Sequence, residues 1–342
     1  MKILPKSLAP ALLAALITLP AAARNADGTL GFLRTPNNGV PALLAGTTNF
    51  EAEAAGEATL TLEGPAGTYP VAVTWGPAPG GRAAGSCTLP PNTPPGLYGL
   101  RAKHPGGEDL NTRAVAVLPP AEDLYAIAHL SDTHIGSGRH KRSSTDIMND
   151  VIDAINTSGA TFCLVTGDVT ENGEMAQYAD FLTALDRCTL PTFVVAGNHD
   201  RLDLNYEKVF GKLTYAFAYG RDGYLGFDSK DYNTAPDLGA QNGDLERLRR
   251  SIKAARWSIG FSHRYEDLQG MRSQLTLFVD NPLDVLLFGH WHVENTPDQR
   301  AVPWGRTRIS VVPAGIDGKF RMIDITPQGL NFRAVEQPAA IE

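Results

Sequence analysis

Cysteine is scarce in this chain: three in 342 residues. That is too few to build a fold from disulfides. Cys163 and Cys188 each fall near one of two expected neighbouring strands, so a single bridge is open to them in an oxidising compartment, leaving Cys87 alone. None of the three sits beside another zinc-ligand residue, so no cysteine metal site is expected. Positive charge is also short. Thirty Lys and Arg face 37 Asp and Glu, a formal charge of −7. An acidic surface argues against general nucleic-acid binding, which needs a basic footprint. Beyond the first two dozen residues no run is apolar enough to span a bilayer.

Those first residues, MKILPKSLAPALLAALITLPAAA, carry a pattern of their own. Lys2 and Lys6 form a basic start, Leu8 to Leu19 an apolar stretch, and Ala21-Ala22-Ala23 a small-residue cleavage site. That order predicts a signal peptide over residues 1–23 and export to the periplasm or the exterior. The apolar run is shorter than the ~20 residues of a membrane span, and Pro10 interrupts it. Cleavage would remove two lysines and no acid, leaving 28 basic against 37 acidic residues, or −9.

A helical period is missing from residues 30–118. Alternation is present instead, in Asn49–Ala54, Thr59–Glu63, Val71–Trp75, Leu97–Arg101 and Ala114–Val117, with Gly and Pro clusters between. Short strands at this spacing predict an all-β sandwich of immunoglobulin or fibronectin type. It shows no chemical motif, so its expected role is structural, as a docking module or a surface for a protein partner. Residues 119–123, Pro119-Pro120-Ala121-Glu122-Asp123, read as a linker.

From 124 to 338 the rhythm changes to alternating strands and helices. Strands are expected at Tyr125–Leu130, Thr161–Thr166, Thr192–Ala196, Trp257–Ser262 and Val285–Phe288. A helical face runs through Ile147, Met148, Val151, Ile152 and Ile155, with Ser144 or Thr145 as its cap; a second runs through Met175, Tyr178, Phe181, Leu182 and Leu185. Residues Ile309–Pro313, Phe320–Thr326 and Leu330–Val335 read as antiparallel, so the sheets are expected to be mixed.

Each of those five strands runs into polar residues: Ser131-Asp132-Thr133-His134, Gly167-Asp168, Gly197-Asn198-His199-Asp200, His263, and Gly289-His290-Trp291-His292. Ligands of α/β sheets sit at the carboxyl ends of strands. Gly167, Gly197 and Gly289 each precede such a group, where a residue without Cβ allows a sharp turn or a close approach. The five blocks, SDTHIG (131–136), TGDVTENGE (166–174), AGNHD (196–200), FSHR (261–264) and FGHWH (288–292), resemble the calcineurin-like metallophosphoesterases. The resemblance covers about residues 124–335. It implies an α/β/β/α domain of two mixed sheets flanked by helices.

The resemblance also implies a chemistry. Seven donors, Asp132, His134, Asp168, Asn198, His263, His290 and His292, are too many for one tetrahedral ion and suit two sharing a bridge. One ion would take Asp132, His134, Asp168 and His292. The other would take Asp168, Asn198, His263 and His290. Mixed nitrogen and oxygen donors fit Zn, Mn, Fe or Co. A hydroxide held between the ions would attack phosphorus, His199 would contact the phosphoryl or leaving group, and Asp200 would orient His199. Glu171 stands where the purple acid phosphatase branch has tyrosine, so the block looks closer to the phosphodiesterase branch. Arg139, Lys141 and Arg142 are candidates to grip an anionic substrate. Trp291 is expected to pack beneath the site. The expectation is an exported, dinuclear metal-dependent hydrolase of small phosphoesters, diesters before monoesters. The alternatives are a phosphomonoesterase or nucleotidase with the same site, or a non-catalytic metal-containing binding protein.

Overall fold

The computed structural model describes residues 28–228, 239–264, 275–295, 300–301 and 305–342. The leader expected over residues 1–23 lies outside the described residues. No helix among the described residues is long and apolar enough to cross a membrane.

The N-terminal region consists of eight strands: β1 (Leu33–Thr35), β2 (Ala42–Ala45), β3 (Asn49–Ala54), β4 (Thr59–Gly64), β5 (Gly67–Ala78), β6 (Arg82–Thr88), β7 (Gly96–His104) and β8 (Gly107–Leu118). All five alternating stretches fall on strands, and β1, β2 and β6 are additional. Long β5 pairs with β4 through Gly67–Val71 and with β6 through Ala72–Ala78. One strand therefore serves both halves of the sheet. Leu33, Phe50, Leu60, Leu62, Tyr98, Leu100 and Val115, drawn from both halves, close on a single core. In β3, β4 and β6 alternate residues are buried, which gives the folded-over sheet an inner apolar face.

Two mixed sheets follow. The first has the order β11-β10-β9-β17-β18, with β9 (Tyr125–Leu130), β10 (Phe162–Thr166) and β11 (Thr192–Val195) parallel, and β17 (Phe320–Thr326) and β18 (Gly329–Glu336) antiparallel. The second is β12-β13-β14-β15-β16, built from β12 (Tyr215–Tyr219), β13 (Asp222–Gly226), β14 (Ser258–Phe261), β15 (Val285–Phe288) and β16 (Arg308–Val311). Only β12 in it is antiparallel. The sequence reading grouped residues 309–313 with the antiparallel end. Instead β16 returns parallel to β15 after a long connection, and only β17 and β18 belong to the other sheet.

The sheets stack on a shared layer of Ile127, Phe162, Leu164, Phe193, Tyr224, Phe261, Val285 and Leu287. The other face of the first sheet packs Ala128, Cys163, Val165 and Val194 against α1 (Ser144–Thr157) and α2 (Met175–Leu185). Both faces of these strands are buried, hence their near-continuous apolar runs. The far side of the second sheet packs on Leu245 of α4 (Gly239–Ser251; α3 is Asn205–Val209) and on Leu277 and Phe278. Ser143, not Ser144 or Thr145, caps α1 by accepting from the Asp146 N–H. The Ser144 hydroxyl instead accepts from Gly136 N–H, which ties the helix to the loop after β9. Cys87, Cys163 and Cys188 are buried free thiols, and no bridge joins the last two.

Candidate metal centre

Strand ends of both sheets converge on one point. The loops after β9 and β10 are joined by Asp132 N–H to Gly167 C=O (2.9 Å) and by Ser131 hydroxyl to Thr166 C=O (2.8 Å). The second sheet meets them where His263 Nδ1 contacts Thr166 C=O at 2.8 Å and where His290 N–H donates to Asp132 Oδ2 at 2.9 Å. Backbone strain collects in these loops. Of eight non-glycine residues with positive φ among the described residues, five are Asp132, Asp168, His134, His290 and His292. Left-handed backbone is unfavourable for such residues and persists where the surroundings over-determine it, as at functional sites.

Seven side chains read from the sequence gather here. His263 Nε2 lies 3.0 Å from Asp168 Oδ2, 3.1 Å from Asn198 Oδ1 and 3.2 Å from His290 Nδ1. One ring nitrogen cannot serve three such partners with one proton, so the close approach is not explained by hydrogen bonding alone. On the other side, His134 Nε2 is 3.8 Å from both Asp132 Oδ1 and Asp168 Oδ2, and His292 Nε2 is 3.2 Å from Asp132 Oδ1. Asp132 Oδ1 and His134 Nε2 are buried with no hydrogen-bond partner, because the nearby contacts lack hydrogen-bond geometry. Asp132, His134 and His292 form one group able to hold a cation, and Asp168, His263 and His290 another. Orphaned lone pairs and a nitrogen-plus-oxygen donor set fit cation binding.

The electrostatics point the same way. Burial pushes the Asp132 carboxyl up, but His134, His292 and His263 outweigh it and hold it well below the usual range. Burial likewise opposes the depression of Asp168, which follows from His263. His263 is pushed up to about 9: burial lowers it, while the Asp168 hydrogen bond and the Asp132 charge raise it more. His290 is pushed down to about 4 by burial and by neighbouring His263 and Arg264.

Other expectations fare unevenly. His199 stands beside the centre, its ring 4.8 Å from that of His134. Asp200 does not orient it. The buried Asp200 carboxylate accepts from Val169 N–H, Thr170 N–H and hydroxyl, and Gly197 N–H, so it clamps the loops after β10 and β11 together. His199 Nδ1 is held at 2.6 Å by the Glu171 carbonyl. The Glu171 carboxylate, missed as a contributor, lies 2.9 Å from His134 Nδ1. Its only sequence signal is its place three residues after Asp168. Arg139 reaches His292 Nδ1 at 2.9 Å. Arg142 turns away to Asp150 and the Ala340 carbonyl, and Lys141 is exposed. Trp291 is half exposed, with its ring edge-on to Phe288, rather than packed beneath the site.

A family profile described as Calcineurin-like phosphoesterase matches residues 125–294. Those residues belong to the calcineurin-like phosphoesterase family. The chain is a hydrolase acting on phosphoester bonds. It is 24% identical over 195 residues to a probable cyclic nucleotide phosphodiesterase of Fibrobacter succinogenes, a match covering 51% of this chain and 75% of that protein. Among solved structures it resembles a purple acid phosphatase from yellow lupin seeds, with a TM-score of 0.57 at 13% identity over 92% of this chain and 73% of that one. At that identity the likeness shows the fold, two mixed sheets with helices outside.

Proposed function

We propose that the protein is a phosphodiesterase whose seven donors hold two cations, with Asp168 as the shared carboxylate. The observation that carries this is the crowding of Asp168 Oδ2, Asn198 Oδ1 and His290 Nδ1 around His263 Nε2 at 3.0–3.2 Å. Asp132, His134 and His292 would hold one ion, and Asn198, His263 and His290 the other. When bound, the ions supply Lewis acidity, which makes water a better nucleophile at neutral pH and offsets charge on phosphoryl oxygens.

The chain's own residues do the rest. Glu171 and Thr166 fix His134 and His263 with Nε2 turned to the centre. His199 has Nδ1 held by the Glu171 carbonyl, so its Nε2 is the atom free to exchange a proton with a leaving ester oxygen. The likeness to a cyclic nucleotide phosphodiesterase, and Glu171 in place of a tyrosine, support diesters over monoesters. The leader-like residues 1–23 support export, and the folded-over eight-stranded sheet supports an immunoglobulin-like module at 30–118, joined through 119–123 to a catalytic unit at 124–338.

The test is hydrolysis of bis-p-nitrophenyl phosphate and p-nitrophenyl phosphate by protein loaded with Mn²⁺ or Zn²⁺. Faster turnover of the diester is expected, and Asp168→Ala should remove metal uptake and activity together. Stoichiometric metal without turnover of either reagent would overturn the proposal.

A further inference from the structure

Resting on the metal-centre reading above, the hydrogen-bond polarity of its histidines carries a further step. His134 Nδ1 faces the Glu171 carboxylate, His263 Nδ1 the Thr166 carbonyl and His199 Nδ1 the Glu171 carbonyl. Each partner is an acceptor, so each ring carries a proton on Nδ1 and leaves Nε2 as the nitrogen a cation can take. His292 is arranged the other way. Its Nδ1 lies 2.9 Å from Arg139 Nη1, and a guanidinium can only donate. Nδ1 accepts, so the ring proton sits on Nε2. Yet Nε2 is the atom 3.2 Å from Asp132 Oδ1, whose lone pair a cation there would need. A neutral imidazole has one such nitrogen. The Arg139 contact and a cation on His292 Nε2 exclude each other.

We propose that Arg139 and a cation compete for His292, and that a bound cation releases Arg139 to a phosphoryl oxygen of the substrate. With Nε2 taken, Nδ1 carries the proton and two donors face each other. Arg139 stays nearby, because Asp317 lies 3.4 Å from its Nε and 3.5 Å from its Nη2. Asp317 is anchored in turn by His140 Nε2 at 2.8 Å, on a turn whose Ile316 N–H donates to the Asp132 carbonyl. The Arg139 side chain is 46% exposed, so the freed guanidinium stands at the rim of the centre, open to an anion. Within the 139–142 basic cluster Arg139 reaches His292, one of the seven donors, whereas Arg142 is engaged elsewhere. In a chain of net charge −7, a local fork of this kind is what an anionic phosphoester requires.

The experiment compares wild type, Arg139→Ala and Arg139→Lys, stripped of metal and then titrated with Zn²⁺. Calorimetry with inorganic phosphate on the loaded proteins should show Arg139→Ala binding about tenfold more weakly, the loss of one charge-assisted hydrogen bond, with Arg139→Lys between. Zn²⁺ should bind Arg139→Ala several-fold more tightly than wild type, the competitor being gone. Long-range proton–nitrogen NMR should place the His292 proton on Nε2 without metal and on Nδ1 with it. Phosphate affinity unchanged in both variants, or a metal-free His292 protonated on Nδ1, would overturn the proposal while metal uptake stays normal. Failure of wild type to take up metal would instead sink the metal-centre reading, and this inference with it.

Discussion

His263 shows how a single side chain sets the terms of metal binding. Its pKa near 9 means that the metal-free protein keeps it protonated at neutral pH, whereas a cation needs the Nε2 lone pair. Binding must therefore expel a proton below pH 9. Metal affinity should rise about tenfold per pH unit up to about 9 and level off above it. His290, pushed down to about 4, contributes no such proton at neutral pH. Calorimetry at pH 7 in buffers of different ionisation enthalpy checks this, and binding without proton release would contradict it. Glu171 sets the other histidine. Glu171→Ala removes the acceptor of His134 Nδ1 and should weaken metal binding by about 10- to 100-fold, as for other partners of ligating histidines. All seven gathered donors were legible in the sequence, because each follows an apolar run within a compact block. Glu171 and Asp200 were not read correctly. Adjacency along the chain says nothing about which way a side chain points: Asp200 follows His199 yet turns to the loop after β10.

The elements of the catalytic region deliver these residues through tight glycine contacts. A Cβ on Gly289 would lie 1.9 Å from Ser131 Oγ and 2.2 Å from Asp132 Oδ2; one on Gly197 would lie 2.1 Å from Asp168 Oδ1. The ends of β15 and β11 thus press directly on the two carboxylates. Gly289→Ala should displace Asp132, abolish stoichiometric metal uptake and destabilise the fold by about 1–3 kcal/mol, the range for an overpacked core. Elemental analysis and thermal unfolding measure the two effects, and a variant with full metal content would refute the argument. The strands that deliver donors were legible from their apolar runs. The β12–β13 hairpin was not. Its β13 starts at an aspartate and carries Gly223 and Gly226, residues poor in strand propensity. They are needed there because Ile252 Cβ and Phe261 Cζ would each come within 2.6 Å of a Cβ at those positions. That demand comes from tertiary packing and leaves no local periodicity.

At the scale of the molecule, a change of rhythm at residue 119 marked two regions, but not how they meet. The meeting depends on residues far apart in sequence. β11 is the edge of the first catalytic sheet, and the N-terminal region covers it: Val194 N–H donates to the Gly39 carbonyl at 2.8 Å. An open edge is a site for unwanted pairing, so covering it protects the sheet that carries Asp168 and Asn198. Arg113 locks the junction, its Nε on Asn38 Oδ1 at 2.8 Å and its Nη2 on the Leu190 carbonyl at 2.6 Å and Thr192 Oγ1 at 3.2 Å. Asn38 reaches on to Asp186, and Asn37 to the Phe210 carbonyl. Arg113→Ala leaves those acceptors short of a donor and should lower stability by about 2 kcal/mol, with metal content unchanged. The junction also couples the two regions, so the wild type should unfold in one thermal transition and the variant should begin to separate into two. Calorimetric scans of both proteins decide the matter. Two well-resolved transitions already present in the wild type would mean that β11 is held by its own sheet and that the N-terminal region merely rests against it.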